Sequence, residues 1–241
     1  MTKASFQRYV RKAHRYLGVS LGIQFLFWTL GGLYFSWTNI DEIRGDNLRR
    51  KETNIDPKQV KASLADVLAG VQADSVVKLS MVTILGKAHY QIVISTNKKN
   101  RIVLANAQSG SVRGPLSESE AILVAKESLL IPSKVVKTVF IAATDGHHEY
   151  REKPLPAYAI TFDQPANTTV YVSAELGNVQ SFRNNQWRIF DFLWMLHVMD
   201  FENRDNINNW LLRAFSVFGL ITLLSGFTLF FITSKKIITT K

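Results

Sequence analysis

Two uncharged stretches constrain this chain more than anything else in it: LGVSLGIQFLFWTLGGLYFSW at 17–37 and AFSVFGLITLLSGFTLFFITS at 214–234, each of 21 residues. At ~1.5 Å rise per residue, either stretch as a helix covers the ~30 Å hydrocarbon core of a bilayer. The first is longer than the ~7–15-residue apolar region of a cleaved signal peptide, so both are expected to persist as membrane spans. Lys and Arg flank both runs on their terminal sides, which places both termini in the cytoplasm and the segment between them outside. Tyr34, Trp37 and Trp210 stand where interfacial aromatics belong. In a bacterial cell the membrane is then the inner (plasma) membrane and the central domain is periplasmic. The expected order is a basic cytoplasmic N-terminus (1–16), a first span (17–37), a periplasmic domain (38–185), an interfacial aromatic helix (186–205), a second span (210–234) and a cytoplasmic tail (235–241).

The net charge of +10 suggests nucleic acid until its distribution is read. Lys3, Arg8, Arg11, Lys12 and Arg15 precede the first span with no acid among them, and Lys235, Lys236 and Lys241 follow the second. Between Leu17 and Ser234 the 21 basic and 19 acidic residues nearly balance. The basicity therefore belongs to topology, and no nucleic-acid surface is expected. The absence of cysteine removes disulfides, thiolate zinc, iron–sulfur clusters and covalent c-type haem.

The middle of the chain reads as a repeat in an α+β fold, about 56–114 and about 117–182. Residues 56–71 carry helical spacing, with Val60, Leu64, Val67 and Leu68 on one face. Three strand-like runs follow: VVKLSMVT, HYQIVIS and RIVLA. The order then recurs. SESEAILVAKESL opens with a capping-box pair, Ser117 and Glu120, and VVKTVFIAA, AYAITF and TTVYVSA come after it. ANAQSGSV (105–112) and VSAELGNV (172–179) align without a gap, matching Ala107 with Ala174, Gly110 with Gly177 and Val112 with Val179. The shared glycine is what a tight strand-ending turn needs where φ is positive.

Two antiparallel-sheet modules framed by two spans resemble the PepSY-associated transmembrane family. HRYLGVSLGIQFLFWTLGGLYFSW is similar to that family's first span, and WMLHVMDFENRDNINNWLLRAFSVFGLITLLSG, with its Leu-His-x-Met-Asp core, to its closing segment. ANAQSGSV and VSAELGNV are similar to the strand-turn ending of PepSY modules. The family includes haem-containing ferric and ferric-siderophore reductases. The resemblance implies that His14 and His197, which fall in the matching motifs, are axial ligands of haem b.

His14 lies at the cytoplasmic mouth of the first run, and Gly18 and Gly22 follow it at one-turn intervals on the same helical face. Small residues there permit close approach of a partner helix or of a flat macrocycle. Arg11 and Arg15 are candidate partners for haem propionates, and the bland alternative is a basic interfacial cluster. His197 sits among Trp187, Phe190, Phe192, Trp194 and Phe201, which read as an interfacial helix or as the wall of a haem pocket. With ~30 Å of hydrocarbon between them the two imidazoles cannot share an iron. One haem near each face, two per dimer, is the expected count. Two spans give a porphyrin little wall, so a homodimer that pairs the ligands of two chains is expected.

Of the other histidines, His89 reads as a strand-start surface residue. Asp145, His147, His148 and Glu149 form a nitrogen–oxygen set that could dock iron. No hydrolase, phosphate-loop or dinucleotide motif is present, so the electron donor is external and unspecified. The expected function is reduction of ferric iron, free or chelated, for iron uptake. The alternative is a membrane-anchored PepSY binding or regulatory module without a cofactor.

Overall fold

The structure, a computed structural model, describes residues 3–51, 54–165 and 167–238. It divides into two compact units, one made of 1–38 with 189–241 and the other of 39–188.

The first unit is built on two long helices, α1 (Lys3–Trp37) and α6 (Trp210–Ile238), with most of α5 (Asn185–Val198). Both long helices are apolar enough to cross a membrane, and only 11% of each apolar window is buried within the chain. A soluble core helix would be mostly covered. Leu30, Leu220, Leu223 and Phe230 are instead at least half exposed, so these surfaces need apolar surroundings. The two helices run antiparallel: Phe25 packs on Phe215 at 5.3 Å between ring centroids, while His14, eleven residues earlier, meets Gly226. Residues 235–238, expected to begin a tail, continue α6; residues 239–241 lie outside the described residues.

The second unit holds the repeat. After α2 (Ile40–Arg44) come α3 (Leu64–Ala69), strands β1 (Ser75–Ile84), β2 (Lys87–Thr96), β3 (Lys99–Asn106) and β4 (Val112–Arg113). The second round is α4 (Glu118–Ser128), β5 (Val135–Ile141), β6 (Ala157–Phe162), β7 (Thr169–Ser173) and β8 (Val179–Arg183). Each round forms one antiparallel sheet in sequential strand order. Four strands stand where three were expected, because the glycine turns ending β3 and β7 return the chain for a short further pairing.

Those two turns match bond for bond. Gly110 (φ +77°) donates to the Asn106 carbonyl and Gly177 (φ +73°) to that of Ser173. Asn106 N–H donates to Ser111 O and Ser173 N–H to Asn178 O. Ala107 O accepts from Ala62, just before the helix cap Ser63, while Ala174 O accepts from Leu116, just before the cap Ser117. The same bonds explain why the first helix is shorter than its periodicity predicts. Lys61 and Ala62 give their amides to Ala107 O, so a 3-10 turn at Pro57–Gln59 stops and α3 begins afresh on Ser63. The predicted apolar face survives, with Val60, Leu64, Val67 and Leu68 packed on Tyr90, Ile92 and Val103. At α4 the capping box is present, and Glu120 also takes a two-oxygen grip on the Arg113 guanidinium at 2.8 Å. One core joins α4 to the second sheet and draws in Ile84 and Leu104 of the first.

Candidate functional site

His14 projects from α1 onto the middle of α6. Its Nδ1 lies 2.8 Å from Ser225 Oγ and 3.2 Å from the Thr222 carbonyl oxygen. Ser225 spends its own hydroxyl proton on that same carbonyl, at 2.7 Å. Two acceptors around Nδ1 fix the proton there, which leaves the lone pair on Nε2. This arrangement suits a metal-binding imidazole, whose other nitrogen is ordinarily tied to a protein acceptor. Gly226 makes the room: a Cβ there would lie 3.2 Å from the His14 Cε1.

Gly18 and Gly22 do not serve the packing of α6, since a Cβ built on either meets nothing within 4 Å. The close approach uses glycines of α6 instead, Gly226 under His14 and Gly219 under Phe25. Arg11 and Arg15 are exposed, and Arg15 lies over the Tyr16 ring at 5.4 Å.

His197 is held in an aromatic box. Its ring stacks on Trp28 at 5.0 Å, lies parallel to Trp194 at 6.1 Å and meets the edge of Phe35 at 5.9 Å. Burial lowers its pKa, so the imidazole is neutral. Its Nδ1 is buried with no hydrogen-bond partner among the described residues, and so is Trp28 Nε1 beside it. Unpaired buried polar atoms are rare and mark a site whose chemistry the surrounding residues leave incomplete. Helix α5 therefore packs along α1 through these rings. Gln24 reinforces the contact by donating to the Leu196 carbonyl at 2.7 Å.

The loop after α5 is tightly built. Asp200 accepts from the amides of Glu202, Asn203 and Asn206; burial alone would raise its pKa, but these bonds hold it below the usual carboxylate value. Asp191, buried on α5, pairs with Arg204 at 2.5 Å. Asn209 donates to Val198 O and caps α6 by accepting from Leu212 N–H.

Fourteen residues of α1 separate His14 from Trp28, the level at which His197 sits, or about 21 Å along the helix axis. That is less than the full hydrocarbon thickness expected from sequence. It still forbids one iron from taking both imidazoles.

The docking set at 145–149 does not assemble, and among the described residues no cluster of three or more metal-ligating side chains exists. Asp145 is occupied by the amides of His147 and His148, and His148 Nδ1 accepts from Tyr150 N–H. Glu149 is a structural anchor: it takes Arg188 Nε at 2.8 Å and Nη2 at 3.1 Å, with the Tyr171 hydroxyl at 2.8 Å. Burial and the neighbouring Glu149 charge push the Tyr171 pKa up, and burial pushes that of Tyr150 up to about 12. His89 is not a surface residue. It is 4% exposed, its Nδ1 lies 2.9 Å from the Lys87 carbonyl, and burial lowers its pKa.

Sequence reasoning missed Trp28, Ser225 and Gly226. The signal for the last two was present as a Ser-Gly pair inside an otherwise apolar span, the kind of small-residue step at which helices approach. No family model, curated protein or solved structure matches this chain.

Proposed function

We propose that this chain is an inner-membrane haem protein of the PepSY-associated kind, carrying electrons to ferric iron outside the cytoplasm. One observation carries the reading: His14 is locked by Ser225 and Thr222 in the tautomer that offers Nε2 to a metal, at a glycine-made recess between two apolar helices. The unpaired Nδ1 of His197, inside its aromatic box, supports a second cofactor position on the same helix. Haem b, when bound, supplies the one-electron carrier that the side chains of a cysteine-free chain lack.

The residues around each imidazole divide the remaining work. Ser225 and Thr222 hold the His14 ring in its orientation through Nδ1. Trp28, Trp194 and Phe35 exclude water from His197 and keep it neutral. Arg11 and Arg15 supply exposed cations on the His14 side for carboxylates such as propionates. Each ferric ion takes one electron and leaves as ferrous iron, the electron drawn from a donor of the membrane or cytoplasm. Both termini face the cytoplasm, as the terminal lysines and arginines require. A second copy of the chain would supply the further imidazoles that hold the group.

The test is spectroscopic. Protein purified from membranes in mild detergent should show a Soret band, with sharp α and β bands after dithionite, and His14→Ala and His197→Ala should each remove part of it. Light scattering on the same sample should give a dimer. A colourless protein that takes up no added haemin overturns the proposal and leaves the anchored module.

A further inference from the structure

We propose that the sheet-bearing unit carries a binding site for a small organic acid, separate from the histidine sites. A cavity of about 440 Å³ opens between α4, the β1–β2 hairpin and the start of β8. That volume lies within the ~300–1,000 Å³ of small-molecule sites.

Its lining has two halves. One is apolar, with Ile55, Met81, Leu85, Val124 and Val179. The other is the consecutive trio Arg49, Arg50 and Lys51, opposed among the described residues by one carboxylate, Glu127.

The trio is fixed by its backbone. Arg49 bridges to Leu129, and Arg50 N–H donates to Ser128 O at 2.7 Å, so the segment is pinned against the end of α4. Arg50 uses part of its guanidinium on the Leu129 carbonyl, at a long 3.4 Å. Arg49 is placed more firmly, over the Phe182 ring at 5.1 Å, yet its Nε is buried with no acceptor among the described residues. An immobilised guanidinium with an unmet N–H leaves a debt of the kind that a carboxylate or phosphate oxygen settles. Lys51 is exposed and adds a third positive charge at the same mouth. Geometry and charge together select a ligand with an anionic head and an apolar body small enough for the cavity. This inference does not rest on haem binding and survives if that fails.

The chain has four methionines, Met1, Met81, Met195 and Met199, and among the described residues only Met81 lines the cavity. Full-length protein with ¹³C-methyl methionine in nanodiscs therefore gives a local reporter and three controls. The probes are 4-phenylbutyrate and its neutral counterpart 4-phenylbutanol. The expected result is a saturable shift of the Met81 methyl with the acid, at least tenfold weaker with the alcohol. Arg49→Gln should weaken the acid by roughly tenfold, the worth of one charge-assisted bond. Lys51→Gln, at an exposed side chain with no bond to the described residues, should weaken it by about threefold with the fold intact. A Met81 signal that does not move with the acid, that moves equally with the alcohol, or that titrates unchanged in both variants overturns the proposal.

Discussion

The matched turns of the repeat make one perturbation unusually sharp. Gly110 and Gly177 occupy equivalent positions with φ of +77° and +73°, so alanine at either incurs the same left-handed backbone cost, about 1–2 kcal/mol. Their surroundings differ. A Cβ on Gly110 meets Ala62 Cβ at 3.4 Å and Val67 Cγ2 at 3.7 Å, close to ordinary contact. A Cβ on Gly177 would come 2.4 Å from Ile84 Cδ1 and 3.2 Å from Leu104 Cδ1. Neither neighbour can swing away, because Ile84 is 1% and Leu104 2% exposed within one core. Overpacking of this kind adds about 1–3 kcal/mol. Gly177→Ala should therefore cost about 2–5 kcal/mol and Gly110→Ala about 1–2 kcal/mol. Pulse proteolysis of the solubilised full chain across a urea series reads the difference. Most of the excess should vanish in an Ile84→Ala background, where the nearest atoms are gone, Leu104 gains room to give way and the two substitutions couple. Equal costs for the two alanines, or an excess that persists undiminished without Ile84, would refute the close approach of the two sheets at Gly177.

Four other outcomes follow from the same geometry. Ser225→Ala should lower haem affinity roughly 10–100-fold by loosening the His14 Nδ1 proton, read by haemin titration; unchanged affinity would remove the tautomer argument. Glu149→Gln should destabilise the sheet unit by about 1–2 kcal/mol, a charge-assisted grip discounted because Arg188 is a third exposed. It should leave iron reduction untouched, since Glu149 anchors rather than docks metal. His89 has a folded pKa below its unfolded value near 6.5, so the folded state binds fewer protons. Stability is then full above that value and erodes as pH falls through it, and His89→Gln should flatten this acid limb in denaturant titrations from pH 7.5 to 5. Finally, Leu33→Cys should react with a membrane-impermeant maleimide from outside intact cells; protection by lipid would place the outer boundary near Trp37 after all.

What could be read ahead of the structure followed from periodicity and charge. The spans, six of the eight strands and the Ser117 capping box are local patterns, visible wherever period and turn chemistry agree. β4 and β8 were hidden because a two-residue strand, and a five-residue one interrupted by Gln and Ser, carry no alternation to count. The break before α3 was hidden because its cause, the Ala107 carbonyl, lies more than forty residues away. The candidate ligands were legible as histidines in distinctive surroundings. Their settings were not: Ser225, Gly226 and Trp28 become neighbours only when helices pair. The 145–149 cluster shows the reverse error. Three of these four neighbouring ligand-type residues have side chains committed elsewhere: Asp145 to two backbone amides, His148 to Tyr150 N–H and Glu149 to Arg188.

The pairing of α1 with α6 changes what the two apolar runs mean. His14 meets Thr222 and Gly226, the centre of the 214–234 run, while His197 meets Trp28, near the centre of 17–37. The runs are thus staggered: they lie side by side only between the Trp28–Phe215 level and the His14–Gly226 level, and beyond that overlap each has a charged neighbour. Alongside the inner half of α6 stand Arg8, Arg11, Lys12 and Arg15; at the level of Gln24 and Trp28 the chain turns through Glu202, Arg204 and Asp205. Charged groups facing lipid are costly, so a lone hairpin offers no charge-free layer of ~30 Å. Two ways out exist on the proposed topology. The outer boundary can drop to the Trp28 level, which puts the aromatic box of His197 at the interface and the end of α1 in water. The inner cations must then be covered by something anionic or by a second copy of the chain. The haem proposed above, with its propionates toward Arg11 and Arg15 and shared between two copies, would do both at once, and the stagger is then an argument for the proposed cofactor and dimer that neither histidine supplies alone.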